Sequence, residues 1–417
     1  MNLVPVSIDS IVIGQPLPCA LRDVSGVLLA SQGFQVHSRQ DLEAMVGRRS
    51  EIYIDSDESE NYRRGYFNRL NKAVMQDHEL RKIAEVQISP YDNKKAAKAE
   101  TNGEPDWIDL QTQMDGMLRD FRGDSFLPRL ERLQKELERQ LQRNPDGTLF
   151  ALIHLAGSEI RRYSATHAML VSTVCSLAAR DVLKWSEDHI AAMCNAALTM
   201  YIGMTDLQDR MAMQKGSPTA EQLKLIESHA PRSVDMLQMM GVTNPLWLEA
   251  VLYHRHNTAG PLAPRTVSQR LARLIQRADM FAARLSPRTS RPPETPSAAM
   301  QACYFDENRA VDEAGAAIIK AVGIYSPGTF VRLQSNEIAA VIKRGLNTTM
   351  PKVAVLINRQ GMATGEPIVR DTSLPEFRIV ASVPYREVKV NHNLERLLAL
   401  TRQVTADRPW QGLPRNF

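Results

Sequence analysis

From Trp107 to about residue 324 the chain reads as one helix after another. Leu152, Leu155 and Ile160, then Met169, Leu170, Val174, Leu177 and Ala178, recur at helical spacing. Such stripes need other helices to bury them, so the pattern commits the largest part of the chain to a helical bundle. Ser217-Pro218-Thr219-Ala220-Glu221 predicts a helix start whose helix runs to His229, and Asn244-Pro245 predicts the next, with Leu248, Val251 and Leu252 as its apolar face. Met193, Met200, Met204, Met211 and Met213 read as core filling. The Pro- and Arg-rich stretch from Pro287 to Pro296 predicts a loop that interrupts the bundle.

The flanks have a different period. Residues 1–60 read as a small α+β module. Its strands are Leu3-Val4-Pro5-Val6, Ile11-Val12-Ile13, Val27-Leu28-Leu29 and Ile52-Tyr53-Ile54, and Ser38 caps a short helix through Asp41 and Leu42 to near Gly47. Residues 61–106 read as a charged helix and polar linker, 107–325 as the helical domain, and 326–417 as a β-rich segment with a closing helix at about 391–404. The expected C-terminal strands are Phe330 to Leu333, Ile338 to Ile342 and Val353 to Ile357, with turns at Ser335-Asn336 and Gly361. The fold class is therefore mainly α.

A net charge of +4, from 51 basic and 47 acidic residues among 417, gives no basic footprint, so no nucleic-acid partner is expected. Cys19, Cys175, Cys194 and Cys303 are scattered without a CxxC pair, so reduced, buried thiols are expected rather than a zinc ribbon or disulfide framework. No charged n-region precedes an apolar run and no stretch is long enough to span a bilayer, so a cytoplasmic protein without a membrane span is expected.

Five segments of the helical part carry histidine or aspartate in a recurring context. They are Tyr163-Ser164-Ala165-Thr166-His167, Ala196-Ala197-Leu198 with Ile202-Gly203, Ile226-Glu227-Ser228-His229-Ala230-Pro231, Ala250-Val251-Leu252-Tyr253-His254 and Arg277-Ala278-Asp279-Met280-Phe281. In this order they resemble the HD-GYP family of cyclic di-GMP phosphodiesterases, as do Ser286, Arg288 and Arg291, the exit Tyr325 to Leu333 and the N-terminal strands. The resemblance implies an HD-type helical bundle. It also implies that His167 and Asp279 belonged to one metal and His229 and His254 to the other.

The departures set the functional expectation. Met200-Tyr201 stands where the family has its His-Asp doublet, Met204 where it has a lysine, and His254-Arg255 where it has His-His; the Gly-Tyr-Pro loop is missing. Binuclear hydrolysis needs metals about 3.5–4 Å apart to make hydroxide and neutralise phosphoryl charge. Without the bridging carboxylate neither ion has a full shell, and Arg255 adds a charge that cannot ligate. The sequence thus predicts no catalytic residue and a vestigial metal site at His167, Met200, Tyr201, His229, His254, Arg255 and Asp279. No cofactor is expected; the metal-bearing alternative is a single divalent iron, manganese or zinc held weakly by His167, His229, His254 and Asp279. Each surviving histidine also reads as an ordinary core group, and Asp279 as a partner of Arg277 or Arg284. Arg288 and Arg291 are candidate phosphate or partner contacts, or else solvated loop charges. Three functions stay open: a regulatory scaffold in bacterial second-messenger signalling whose partner is a diguanylate cyclase or response regulator, a cyclic di-GMP binder without hydrolysis, and a weak phosphodiesterase.

Overall fold

Short β-rich runs at the N-terminus pair into an antiparallel sheet. Strands β1 (Leu3–Val6), β2 (Leu21–Arg22), β3 (Leu28–Ala30) and β4 (Ile52–Asp55) lie in the order β1-β4-β2-β3. Leu21 and Ile52 are buried on it. The strand expected at Ile11 to Ile13 does not form: Ile11 lies in a bend, and Ile13 and Gly14 form a turn. Gly14 has φ +82°, a conformation glycine takes without strain and one that ends an extended run. The computed structural model describes residues 105–120, 126–158, 160–256, 258–388 and 394–403, with short segments between 3 and 55. The expected helix after Ser38, beyond Arg39, and nearly all of the charged stretch 61–106 lie outside the described residues.

Met1–Glu104 and Pro105–Phe417 are separate compact units. The second is mostly helical: α1 (Trp107–Arg119), α2 (Phe126–Arg143), α3 (Pro145–Ser158), α4 (Tyr163–Leu177), α5 (Glu187–Thr199) and α6 (Thr205–Met213) come first. They are followed by α7 (Ala220–Glu227), α8 (His229–Met239), α9 (Pro245–Tyr253), α10 (Val267–Leu285), α11 (Pro296–Tyr304) and α12 (Glu313–Val322). Side-chain caps define several starts. Ser186 accepts from His189 N, Asn244 from Leu246 N with Pro245 beside it, and Thr219 and Thr266 form capping boxes with Gln222 and Gln269. The helix expected to reach His229 stops at Glu227, and His229 opens α8 instead. Every residue of α4 is buried, which makes it the centre of the bundle. Met193, Met200 and Met204 fill the core as expected, whereas Met213, at the end of α6, is exposed.

The strands after residue 329 share that core. Strands β5 (Phe330–Leu333), β6 (Ile338–Lys343), β7 (Lys352–Ile357), β8 (Ala363–Asp371) and β9 (Ile379–Val383) form an antiparallel sheet ordered β8-β7-β6-β5-β9. Side chains alternate between its faces. Phe330, Ala340, Ile342, Ala354 and Leu356 join the helical core, and Val331, Leu333, Ala339, Val341, Val353 and Val355 pack with Phe377 on the other face. The β-rich segment is therefore part of the same unit as the helices, closed by α13 (Leu394–Gln403). The sequence did not announce β8, whose side chains are mostly exposed, or β9, where exposed and buried residues mix. One run, Glu187–Met213, is long and apolar enough by composition to cross a membrane, but it is broken by a 3-10 turn at Ile202–Met204 and is mostly buried within the protein. Cys175, Cys194 and Cys303 are free and buried.

Candidate functional site

Helix α4 places Tyr163 and His167 four residues apart, so the two rings stack with centroids 5.4 Å apart and planes 11° from parallel. Helix α10 packs across α4 and presents Asp279, whose Oδ1 accepts from His167 Nε2 at 2.6 Å. After α5 the chain turns through Met200 and Tyr201. Ser233 on α8 clamps this turn: its hydroxyl donates to Met200 O at 2.9 Å and accepts from Gly203 N at 3.0 Å. A Cβ on Gly203 would lie 2.9 Å from Ser233 N and 3.0 Å from His229 O, so this close approach requires glycine. The clamp sends Tyr201 into the middle of the site. Its hydroxyl donates to Asp279 Oδ1 at 3.0 Å, and its ring centroid is 5.8, 5.0 and 5.6 Å from those of His167, His229 and His254.

His229 and His254 are fixed from behind. Each Nδ1–H donates to a backbone carbonyl three residues earlier, Ile226 O at 2.5 Å and Val251 O at 2.6 Å. The lone-pair edges of both rings then face each other, Nε2 to Nε2 at 3.1 Å. Two neutral imidazoles in that arrangement cannot bond to one another; a shared proton or a cation satisfies both. Burial pushes the His254 imidazole down to about 4, with the nearby His229 adding to it, and burial lowers His229 too. Exposed Arg255 lowers both by its charge. Burial raises the Tyr201 phenol well above its usual value and the Asp279 charge raises it further, so Tyr201 stays protonated and donates. Burial also pushes the Asp279 carboxyl up, but the bond and charge of His167, with His254 and Tyr201, outweigh it and hold Asp279 below the ordinary aspartate value.

His167, Tyr201, His229, His254 and Asp279 are therefore brought together, at the ends or middles of four different helices and one turn. Met200 is not among them: its side chain lies in the apolar core, and Met204 is also buried there. Asp279 pairs with neither arginine expected of it. Arg277 is held with Arg273 in a buried network with Glu307 and Asp312, and Arg284 binds Glu294. Arg288 and Arg291 form a tight hairpin, each backbone N–H donating to the other's carbonyl at 2.9 Å. The Arg288 guanidinium donates to the Tyr163 hydroxyl at 3.1 Å and lies over its ring, and Arg291 binds Ala283 O. Arg288 thus touches the site through Tyr163, whereas Arg291 is held by Ala283 O and Glu294.

These residues do not fit a binuclear metal centre. Among the described residues no group of three or more His, Cys, Asp and Glu side chains is placed to hold a metal. The Nε2 atoms of His229 and His254 converge with free lone pairs, while Asp279 accepts from both His167 Nε2 and Tyr201, and the buried His167 Nδ1 has no hydrogen-bond partner among the described residues. Structural and catalytic metal sites need three or four protein donors. Tyr163 and Ser233 went unnoticed as site residues in the sequence. The i, i+4 spacing of Tyr163 and His167 was the available signal; nothing local marks Ser233.

No family model matches the chain. It is 24% identical over 231 residues to a curated cyclic di-GMP phosphodiesterase of Pseudomonas aeruginosa, a match covering 54% of this chain and 55% of the relative. The chain thus spans about half the length of that relative. A solved structure, an HDG"Y"P protein from Bdellovibrio bacteriovorus, aligns over 76% of this chain and 99% of its own at 12% identity and a TM-score of 0.43. The chain is similar to HD-GYP proteins.

Proposed function

We propose that this chain is a catalytically inactive HD-GYP-like regulatory or scaffold protein of bacterial cyclic di-GMP signalling, acting through contacts with other proteins. The observation that carries the reading is Tyr201: its phenol is bonded to Asp279 and its ring is in contact range of three histidines. A phenol offers one oxygen, where a carboxylate offers two that can bridge a pair of metals. The partner in this reading is a diguanylate cyclase or a response regulator, by analogy with the signalling context of the curated relative. A second reading, a single weakly held divalent metal, is favoured by the converging His229 and His254 nitrogens. In it the site binds cyclic di-GMP or hydrolyses it slowly.

The test is a cyclic di-GMP hydrolysis assay with added manganese, iron or zinc, alongside elemental analysis. The expected result is no turnover above the metal blank. Turnover that disappears in both His229→Ala and Asp279→Ala would refute the inactive reading. Met200→His with Tyr201→Asp should restore nothing, because Arg255 and Met204 remain and the Gly-Tyr-Pro loop is missing.

A further inference from the structure

A second cavity lies away from these histidines, where α3, the π-helical turn after α4, α12, the β6–β7 hairpin and α13 meet. Its volume is about 650 Å³, within the roughly 300–1,000 Å³ of small-molecule sites. Seven cationic side chains line it against two carboxylates, in a chain whose overall charge is nearly balanced. Some of this charge is structural: Arg344 binds Asp146 and Ala321 O, and Lys352 binds Asp371. Lys184 and Lys320 are different. They approach from the π-helical turn and from the last turn of α12, both are exposed, and neither has an ion-pair partner among the described residues.

A lysine at a helix C-terminus is stabilised by the helix dipole, which would account for either residue alone. It does not account for their convergence with Arg143, Lys343 and Arg402 on one cavity, since gathered like charges repel. Two backbone features sit at the same place. The π-helix, Ala178–Leu183, is a rare form concentrated at functional sites. Lys184 then takes φ +57°, the left-handed region that glycine or asparagine ordinarily fills, so the lysine side chain is retained against a backbone cost. Beside the cations, Tyr325 supplies an aromatic ring, and Val182, Leu346 and Pro351 supply apolar wall.

We infer that this cavity binds a nucleoside polyphosphate, with Lys184 and Lys320 on the phosphates and Tyr325 against the base. The inference is independent of the reading of the histidine site. It is tested by calorimetric titration of the full chain with GTP and, separately, with inorganic tripolyphosphate at low and physiological salt. GTP should bind, more tightly than tripolyphosphate and less tightly as salt rises. Lys184→Glu with Lys320→Glu should weaken GTP by about tenfold or more, Tyr325→Ala should weaken GTP but not tripolyphosphate, and Tyr201→Phe should change neither. No GTP binding at millimolar concentration, or binding untouched by the paired lysine reversal, would overturn the site. Tripolyphosphate bound as tightly as GTP, with no effect of Tyr325→Ala, would overturn the nucleoside assignment.

Discussion

Two polar clusters in the same unit are built on opposite terms. Around Tyr201 the polar groups are buried or half-buried and most are paired: His167 and Tyr201 both bond Asp279, and His229 and His254 are anchored on carbonyls, with His167 Nδ1 and the facing histidine Nε2 atoms left over. Around Lys184 and Lys320 seven cationic side chains line one cavity against two carboxylates, and these two lysines are exposed with no ion-pair partner among the described residues. Buried polar groups that satisfy each other behave as part of the core, and their loss is felt as instability. Unmatched like charges gain nothing for the fold, and their loss should be felt as lost binding.

The largest effect that could break this contrast is at Asp279. Asp279→Ala removes the acceptor shared by the His167 Nε2–H and the Tyr201 hydroxyl, leaving one buried and one half-buried donor unsatisfied. The expected loss of stability is about 3–5 kcal/mol, measured as a urea midpoint shift at constant m-value. Tyr201→Phe should cost less, roughly 1–2 kcal/mol, because His167 still holds the carboxylate. A neutral Asp279→Ala would mean that the cluster is not a structural unit and that the carboxylate is free for another role.

Much of this cluster was legible in the sequence, because His167, His229, His254 and Asp279 sit in the segments that resemble the HD-GYP family. The position of Tyr201 relative to Met200 was not. The two are adjacent, yet one enters the site and the other the apolar core, a choice made by the Ser233 clamp and by Gly203 at a distance of 30 residues along the chain. The cavity was wholly hidden. Its cations come from a π-helical turn, a helix end, a hairpin and the last helix, and no local spacing links Lys184 to Lys320 or Arg402. The buried strands β6 and β7 showed as apolar runs, whereas β8, with most of its side chains exposed and Gly365 and Pro367 within it, had no strand signature.

Acid sharpens the comparison through histidine. His254 titrates at about 4 in the folded chain, against an ordinary value near 6.5 in the unfolded one. Between those values the unfolded chain binds more protons, so the stability this site contributes is full above about pH 6.5 and falls as the pH drops towards 4. The loss should be on the order of 3 kcal/mol, and His254→Gln should flatten the slope. Glu307, held down at about 2 chiefly by its bond from Arg273, adds its own loss only between about 4.5 and 2. The cavity is lined by no histidine, so it should contribute nothing to the slope above pH 5. A slope unchanged in His254→Gln would place the titrating group elsewhere.

The smallest expected effect is also the most discriminating. Lys184→Gln with Lys320→Gln removes two exposed ammonium groups at helix ends, each losing a dipole interaction of about 0.3–1 kcal/mol. It also relieves repulsion from the neighbouring cations, which works in the opposite direction. The two terms are similar in size, so the urea midpoint should move by the equivalent of about 0.5 kcal/mol or less. Under the same conditions GTP affinity should fall several-fold, in keeping with charge removal rather than reversal. Stability lost by about 2 kcal/mol or more would make the two lysines structural, like the histidines, and the distinction between a satisfied core cluster and an open ligand site would fail.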